Sequence, residues 1–147
     1  MATEQGNWAH EMTHMWYRAH FPKWFDEPSV RTLTTFVWCP RLFPPTGRVE
    51  ADPVYAREQA AGKEVLANPA KRYNDLEPIL SALIVKYGPN VFSRFFHLCV
   101  DAGKRGDLDF APGHWLKRDQ IVKYMSQAAG EDVGPLFRQW NGFGAAQ

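Results

Sequence analysis

From Tyr73 to Lys86 the apolar residues Leu76, Ile79, Leu80, Leu83, Ile84 and, just beyond, Tyr87 recur at intervals of three and four, and Gly88-Pro89 then stops the pattern. That period belongs to a helix with a buried face, because 3.6 residues per turn bring positions i, i+3, i+4 and i+7 to one side. Gly88 stands where a helix C-cap needs a residue free to take positive φ. The same reading gives further helices from Asn7, as N-cap, to Arg18, from Val54 to Ala61, from Asn90 to Asp101, from Leu116 to Ala129 and from Val133 to Trp140. Gly62, Asn68-Pro69, the Gly103 to Gly106 pair and Gly130 are read as the breaks between them. The segment Trp24 to Val37 is read as helix although its TLTTFVW stretch is strand-like. Prolines 40, 44, 45 and 53 with Gly47 make a loop between Cys39 and Pro53, and GDLDFAPGH before Trp115 reads as another. The expected fold class is mainly α, in a single domain over residues 1–147.

The sharpest chemical signal lies near the N-terminus, where HEMTH fits H-E-x-x-H, the helical metal signature of zinc peptidases. Four residues apart on a helix, His10 and His14 stack on one face and can share one ion. Glu11 projects beside that pair, where a carboxylate reaches a water rather than the metal, as a general base must. A hydrolytic zinc site takes three protein ligands and leaves one position open. Two candidates for the third follow, His20 and Glu27. With His20 the string HEMTHMWYRAH has the frame of the metzincin motif, with Tyr17 in place of its glycine.

With Glu27 the string HEMTHMWY followed by FPKWFDEPSVRTL resembles the gluzincin pattern H-E-x-x-H-x-W-[FY], then W-[LF]-x-E-G-x-A, through His14, Trp16, Tyr17, Trp24, Phe25 and Glu27. A second block, RYNDLEPILSALIVKYGPNVF, resembles Y-x-K-G-x-x-V-L-x-x-L followed by G-x-x-x-F; Tyr73 precedes Gly88 by fifteen residues and Phe92 takes the phenylalanine position. In the third, the tail IVKYMSQAAGEDVGPLFRQWNGFG, Gly130, Asp132, Phe137, Gln139 and Trp140 match the end of the same domain. Three ordered blocks make the chain similar to the gluzincin clan, nearest in pattern to the M1-type aminopeptidase catalytic domain. The resemblance implies the helical zinc-binding part of a thermolysin-like (zincin) fold. It also implies Zn2+ on His10, His14 and Glu27, Glu11 as catalytic base, Tyr73 as the catalytic tyrosine that stabilises the oxyanion, and a peptide or protein as substrate.

The departures are specific. Twelve residues separate His14 from Glu27, fewer than in the aminopeptidases, Pro28 replaces the glycine after the ligand, and Asp75 and Leu76 replace the lysine and glycine after the tyrosine. In the family a sheet precedes the metal helix and its edge strand holds the substrate by strand addition. Nine residues precede His10, too few for a sheet at about five to six residues per strand. The expectation is therefore a fragment, a reduced form, or a chain completed by a second one. A zinc-binding module of the same descent without turnover is the alternative from another class.

Composition limits the rest. A net charge of +1, with Lys and Arg scattered among Asp and Glu, supplies no basic face for nucleic acid. MATEQGNWAH has neither the positive n-region nor the apolar h-region of a secretory signal, and no stretch approaches the eighteen apolar residues of a membrane span. The expectation is a chain that neither spans a membrane nor is secreted. Cys39 and Cys99 form no C-x-x-C pair and read as two buried thiols, with a single bridge between them as the alternative. His97 and His114 read as structural or solvated, and Asp107 and Asp109 as turn residues rather than calcium ligands.

Overall fold

The computed structural model describes residues 53–111 and 115–144, together with Glu11, Met12 and Met15. The described chain is mainly helical. Helix α1 spans Pro53–Ala67. It opens on a proline, whose missing N–H costs nothing where the first amides have no intrahelical partner. Helix α2 spans Glu77–Tyr87 and buries six consecutive residues, Ile79 to Ile84. A helix apolar on every side must be enclosed. Accordingly α2 packs against α1 on one flank and α3 on another.

Helix α3, Asn90–Arg105, is amphipathic and buries Val91, Phe92, Phe95, Phe96, Cys99 and Ala102 along one face. Phe96 meets Phe95 edge-on with ring centroids 5.4 Å apart and Phe92 at 6.1 Å. Both arrangements suit the ring quadrupoles better than a stacked sandwich. Strands β1, Phe110–Ala111, and β2, Trp115–Leu116, pair antiparallel, with Phe110 opposite Leu116. Helix α4, Arg118–Ala129, lays Ile121, Tyr124, Met125 and Ala128 against α3. The Arg94 Nε–H donates to the Ala128 carbonyl at 2.7 Å, satisfying an acceptor that the end of α4 leaves open. Two single-turn helices, α5 (Gly134–Phe137) and α6 (Asn141–Gly144), complete the described part.

Several boundaries differ from the expectation. Helix α1 runs through Gly62 to Ala67 instead of ending at Ala61. Gly62 is a close-approach residue rather than a breaker: a Cβ there would stand 2.7 Å from the Ser81 carbonyl carbon and oxygen. Tyr73 lies before α2, not on it, because it is held in a bridge to Trp140. Helix α3 continues past Gly103 to Arg105 and stops at Gly106, which takes φ +74° and donates its N–H to the Ala102 and Gly103 carbonyls. The stretch read as loop after Gly106 contains β1, and its pairing with β2 claims Leu116 and delays α4 to Arg118. The helix expected from Val133 to Trp140 is only α5, and Trp140 instead forms the bridge to Tyr73.

The expected helix ends at Gly88 and Gly130 are present, both with positive φ, +78° and +81°. Val65, Ile79, Leu80, Leu83, Val91, Phe92, Phe95, Met125 and Val133 are fully enclosed, and side chains from every helix from α1 to α5 join one hydrophobic cluster. No helix among the described residues is long and apolar enough to cross a membrane. The segments predicted over Trp24 to Val37 and Cys39 to Pro53 fall outside the described residues, apart from Pro53 itself.

Candidate active site

Glu11, Met12 and Met15 are helical and exposed. The two described residues between the histidines of the H-E-x-x-H string thus have the conformation its spacing requires. Met15 is 72% exposed, a large apolar side chain standing beside a motif whose chemistry needs an open face. No described residue hydrogen-bonds or ion-pairs with the Glu11 carboxylate. The predicted metal ligands, His10, His14, Glu27 and the alternative His20, lie outside the described residues, as do Cys39 and His114.

Tyr73 is built into the fold from far along the chain. Its N–H donates to the Gln139 carbonyl and its own carbonyl accepts from the Asn141 N–H, each at 2.8 Å, which makes a parallel bridge with Trp140. The next residue is held by side chains. The Trp140 Nε1–H donates to the Asn74 carbonyl at 3.1 Å, and the Asn141 Nδ2–H donates to Asn74 Oδ1 at 2.7 Å. Gly142 closes the grip from behind: a Cβ there would stand 2.4 Å from the Trp140 indole carbons. Residues about 67 apart in sequence are thereby locked together just before α2 begins.

Among the described residues the Tyr73 hydroxyl is buried without a hydrogen-bond partner. Desolvation pushes its pKa above the ordinary value; the Lys71 ammonium opposes this, and Glu64 reinforces it. Lys71 sits 5.2 Å from the centre of the Tyr73 ring and is ion-paired with Glu64 at the end of α1. The phenol is therefore a neutral donor at physiological pH. A buried O–H left unpaired costs about 1–3 kcal/mol. Gln139 Oε1, in a side chain that is only 5% exposed, is a second enclosed polar atom without a partner among the described residues.

The remaining residues of the tail block each have a structural task. Gly130 ends α4, and its N–H donates to the Ser126 carbonyl at 2.8 Å. Asp132 accepts from the Gly134 N–H at 2.8 Å and satisfies an open amide at the start of α5. Phe137 is in the core, 2% exposed. In the block before it Gly88 ends α2, and Phe92 is completely buried. The two blocks converge at Tyr73 and Trp140. Sequence reading singled out both residues but not Asn74, Asn141 or Gly142, whose roles depend on pairing across the fold and leave no local periodicity.

Among the described residues no group of three or more His, Cys, Asp and Glu side chains could hold a metal ion. Asp107 pairs with Arg105 at 2.7 Å and Asp109 with Lys117 at 2.6 Å; both lie in the irregular stretch between α3 and β1 and not in a turn. His97 is exposed on α3, with Nδ1 2.7 Å from the Ser93 carbonyl. Cys99 is a free, buried thiol. Comparison with protein-family models, curated proteins and solved structures finds no match to this chain.

Proposed function

We propose that the chain is a gluzincin-type zinc metallopeptidase, or the zinc-carrying part of one, nearest to the M1-type aminopeptidases and acting on peptide bonds. The observation that carries this reading is the H-E-x-x-H string with Glu11 and Met12 in helical conformation between its two histidines. The convergence of the two other blocks on the Tyr73–Trp140 bridge supports it. Two imidazoles and a carboxylate, His10, His14 and Glu27, are the nitrogen and oxygen donors zinc takes at hydrolytic sites, so the residues fit the ion. His20 is the competing third ligand. When bound, the ion acts as a Lewis acid on the scissile carbonyl and lowers the pKa of water toward about 7.

The chain's own groups do the rest. Glu11 accepts a proton from the water that attacks the carbonyl carbon and passes it to the departing amine nitrogen, so the C–N bond breaks without releasing a strongly basic anion. The Tyr73 hydroxyl, protonated at neutral pH and with its pKa raised further by burial, donates to the carbonyl oxygen as that atom takes up negative charge. The buried hydroxyl thereby finds an acceptor that no described residue supplies.

The test is Glu11→Gln, assayed on aminoacyl-coumarin substrates and an internally quenched peptide. The substitution should abolish hydrolysis while the zinc content stays at the wild-type level. Turnover that survives in the variant would contradict the reading. A wild-type protein that binds zinc and hydrolyses nothing would leave a binding module of the same descent.

A further inference from the structure

We propose that Asn141 is the positioning residue for Tyr73, fixing the 73–74 backbone so that the tyrosine hydroxyl is presented to a bound peptide carbonyl. The inference rests on the peptidase reading for its purpose and on geometry for its substance. Asn141 holds the segment twice. Its main-chain N–H donates to the Tyr73 carbonyl at 2.8 Å, and its side-chain amide donates to Asn74 Oδ1 at 2.7 Å.

Tyr73 needs such a hold. It lies outside any helix, in a bridge one residue long, and three residues separate it from the start of α2. Besides the partner segment, packing of the ring against the core and the Lys71–Glu64 pair beside it restrict where the ring stands, but neither fixes the main chain at 73–74. The partner segment is itself made stiff. The Trp140 indole bonds to the Asn74 carbonyl and lies so close to Gly142 that a Cβ there would meet its ring. Asn141 is exposed, so its side chain contributes to the clamp and not to the core. Displacement of a reacting group by about 1 Å can cost on the order of a hundredfold in rate, which is the scale on which such a clamp matters.

A positioning residue acts only through the group it positions, so a double-substitution cycle separates it from a merely structural one. In the full chain with zinc, Asn141→Ala should lower kcat on an aminoacyl-coumarin substrate by roughly ten- to a hundredfold with KM little changed. The same substitution in a Tyr73→Phe background should cost nothing further. Asn141→Asp should recover much of the rate, because the Asn74 amide can turn and donate to the new carboxylate. Equal losses from Asn141→Ala in both backgrounds would overturn the assignment, and so would a Tyr73→Phe variant as fast as the wild type.

A second readout does not need turnover. With 3-fluorotyrosine at position 73, the ring fluorine titrates with the phenol. Its midpoint should fall toward that of the free amino acid in Asn141→Ala as water reaches the hydroxyl. An unchanged midpoint would overturn the clamp even in a protein without activity. Lack of hydrolysis by the wild type counts against the peptidase reading alone.

Discussion

Gly62 of α1 lies so close to Ser81 of α2 that a methyl group on it would stand 2.7 Å from the Ser81 carbonyl and 2.9 Å from the Ala82 nitrogen. The contact is backbone, which cannot yield as a side-chain tip can. Nearby, the Ser81 hydroxyl donates to the Glu58 carboxylate at 3.1 Å, so the same helix crossing holds a buried polar bond. Gly62→Ala should therefore destabilise the fold by about 1–3 kcal/mol, despite alanine's better helix propensity. Gly103→Ala is the control: its methyl would meet only the Leu108 Cδ1 at 3.3 Å, and its effect should be neutral or stabilising by up to about 1 kcal/mol. Urea unfolding of the two variants checks the opposite signs.

Much of this fold was legible in the sequence where local rules decide. The period of Ile79, Leu80, Leu83 and Ile84 gave α2, and Gly88 and Gly130 gave two helix ends, because a capping glycine acts within its own turn. Gly62 and Gly103 misled the reading. Both look like breakers from composition, whereas one is a packing contact and the other is exposed in the last turn of a helix that runs on to Gly106. Tyr73 was singled out by spacing but placed on the wrong element, since its conformation is set by main-chain bonds to Gln139 and Asn141. Pairing over that distance leaves no mark within a window of one or two turns.

Cys99 should be inert. Burial pushes its thiol up to about 12, so almost none is thiolate at neutral pH, and the side chain is enclosed by α3's apolar face. In a Cys39→Ser background the native protein should not react with a thiol-exchange reagent over hours, and it should react once per chain in denaturant. Rapid modification of the folded protein would contradict the packing of α3.

The pair between Lys86 and Glu131 should make a small, pH-dependent contribution. Hydrogen bonds from Lys86 and Tyr87 hold the Glu131 carboxyl below its ordinary value of 4.5. A carboxyl whose pKa is lower when folded stabilises the fold above its unfolded value, and that stabilisation is lost as pH falls through the folded value. Both side chains are about half exposed, so solvent screening keeps the effect small. Glu131→Gln should lower Tm slightly at pH 7, and the difference from the wild type should vanish as the solution is taken well below pH 4.5. A difference that persisted in acid would show that the carboxylate charge is not its source.

The third ligand distinguishes two ancestries. Under the gluzincin reading, Glu27→Ala should release zinc and His20→Ala should keep it. The reverse pattern would make the string HEMTHMWYRAH a metzincin-like site. Equilibrium dialysis against a zinc buffer reads both variants directly.

The most direct test of the central claim is the metal content of the purified, untagged protein by plasma mass spectrometry, with His10→Ala measured alongside. The account predicts one zinc per chain in the wild type and none in the variant. A wild-type protein that holds no zinc, or a His10→Ala variant that keeps it, would contradict the assignment of His10, His14 and Glu27 as a zinc site.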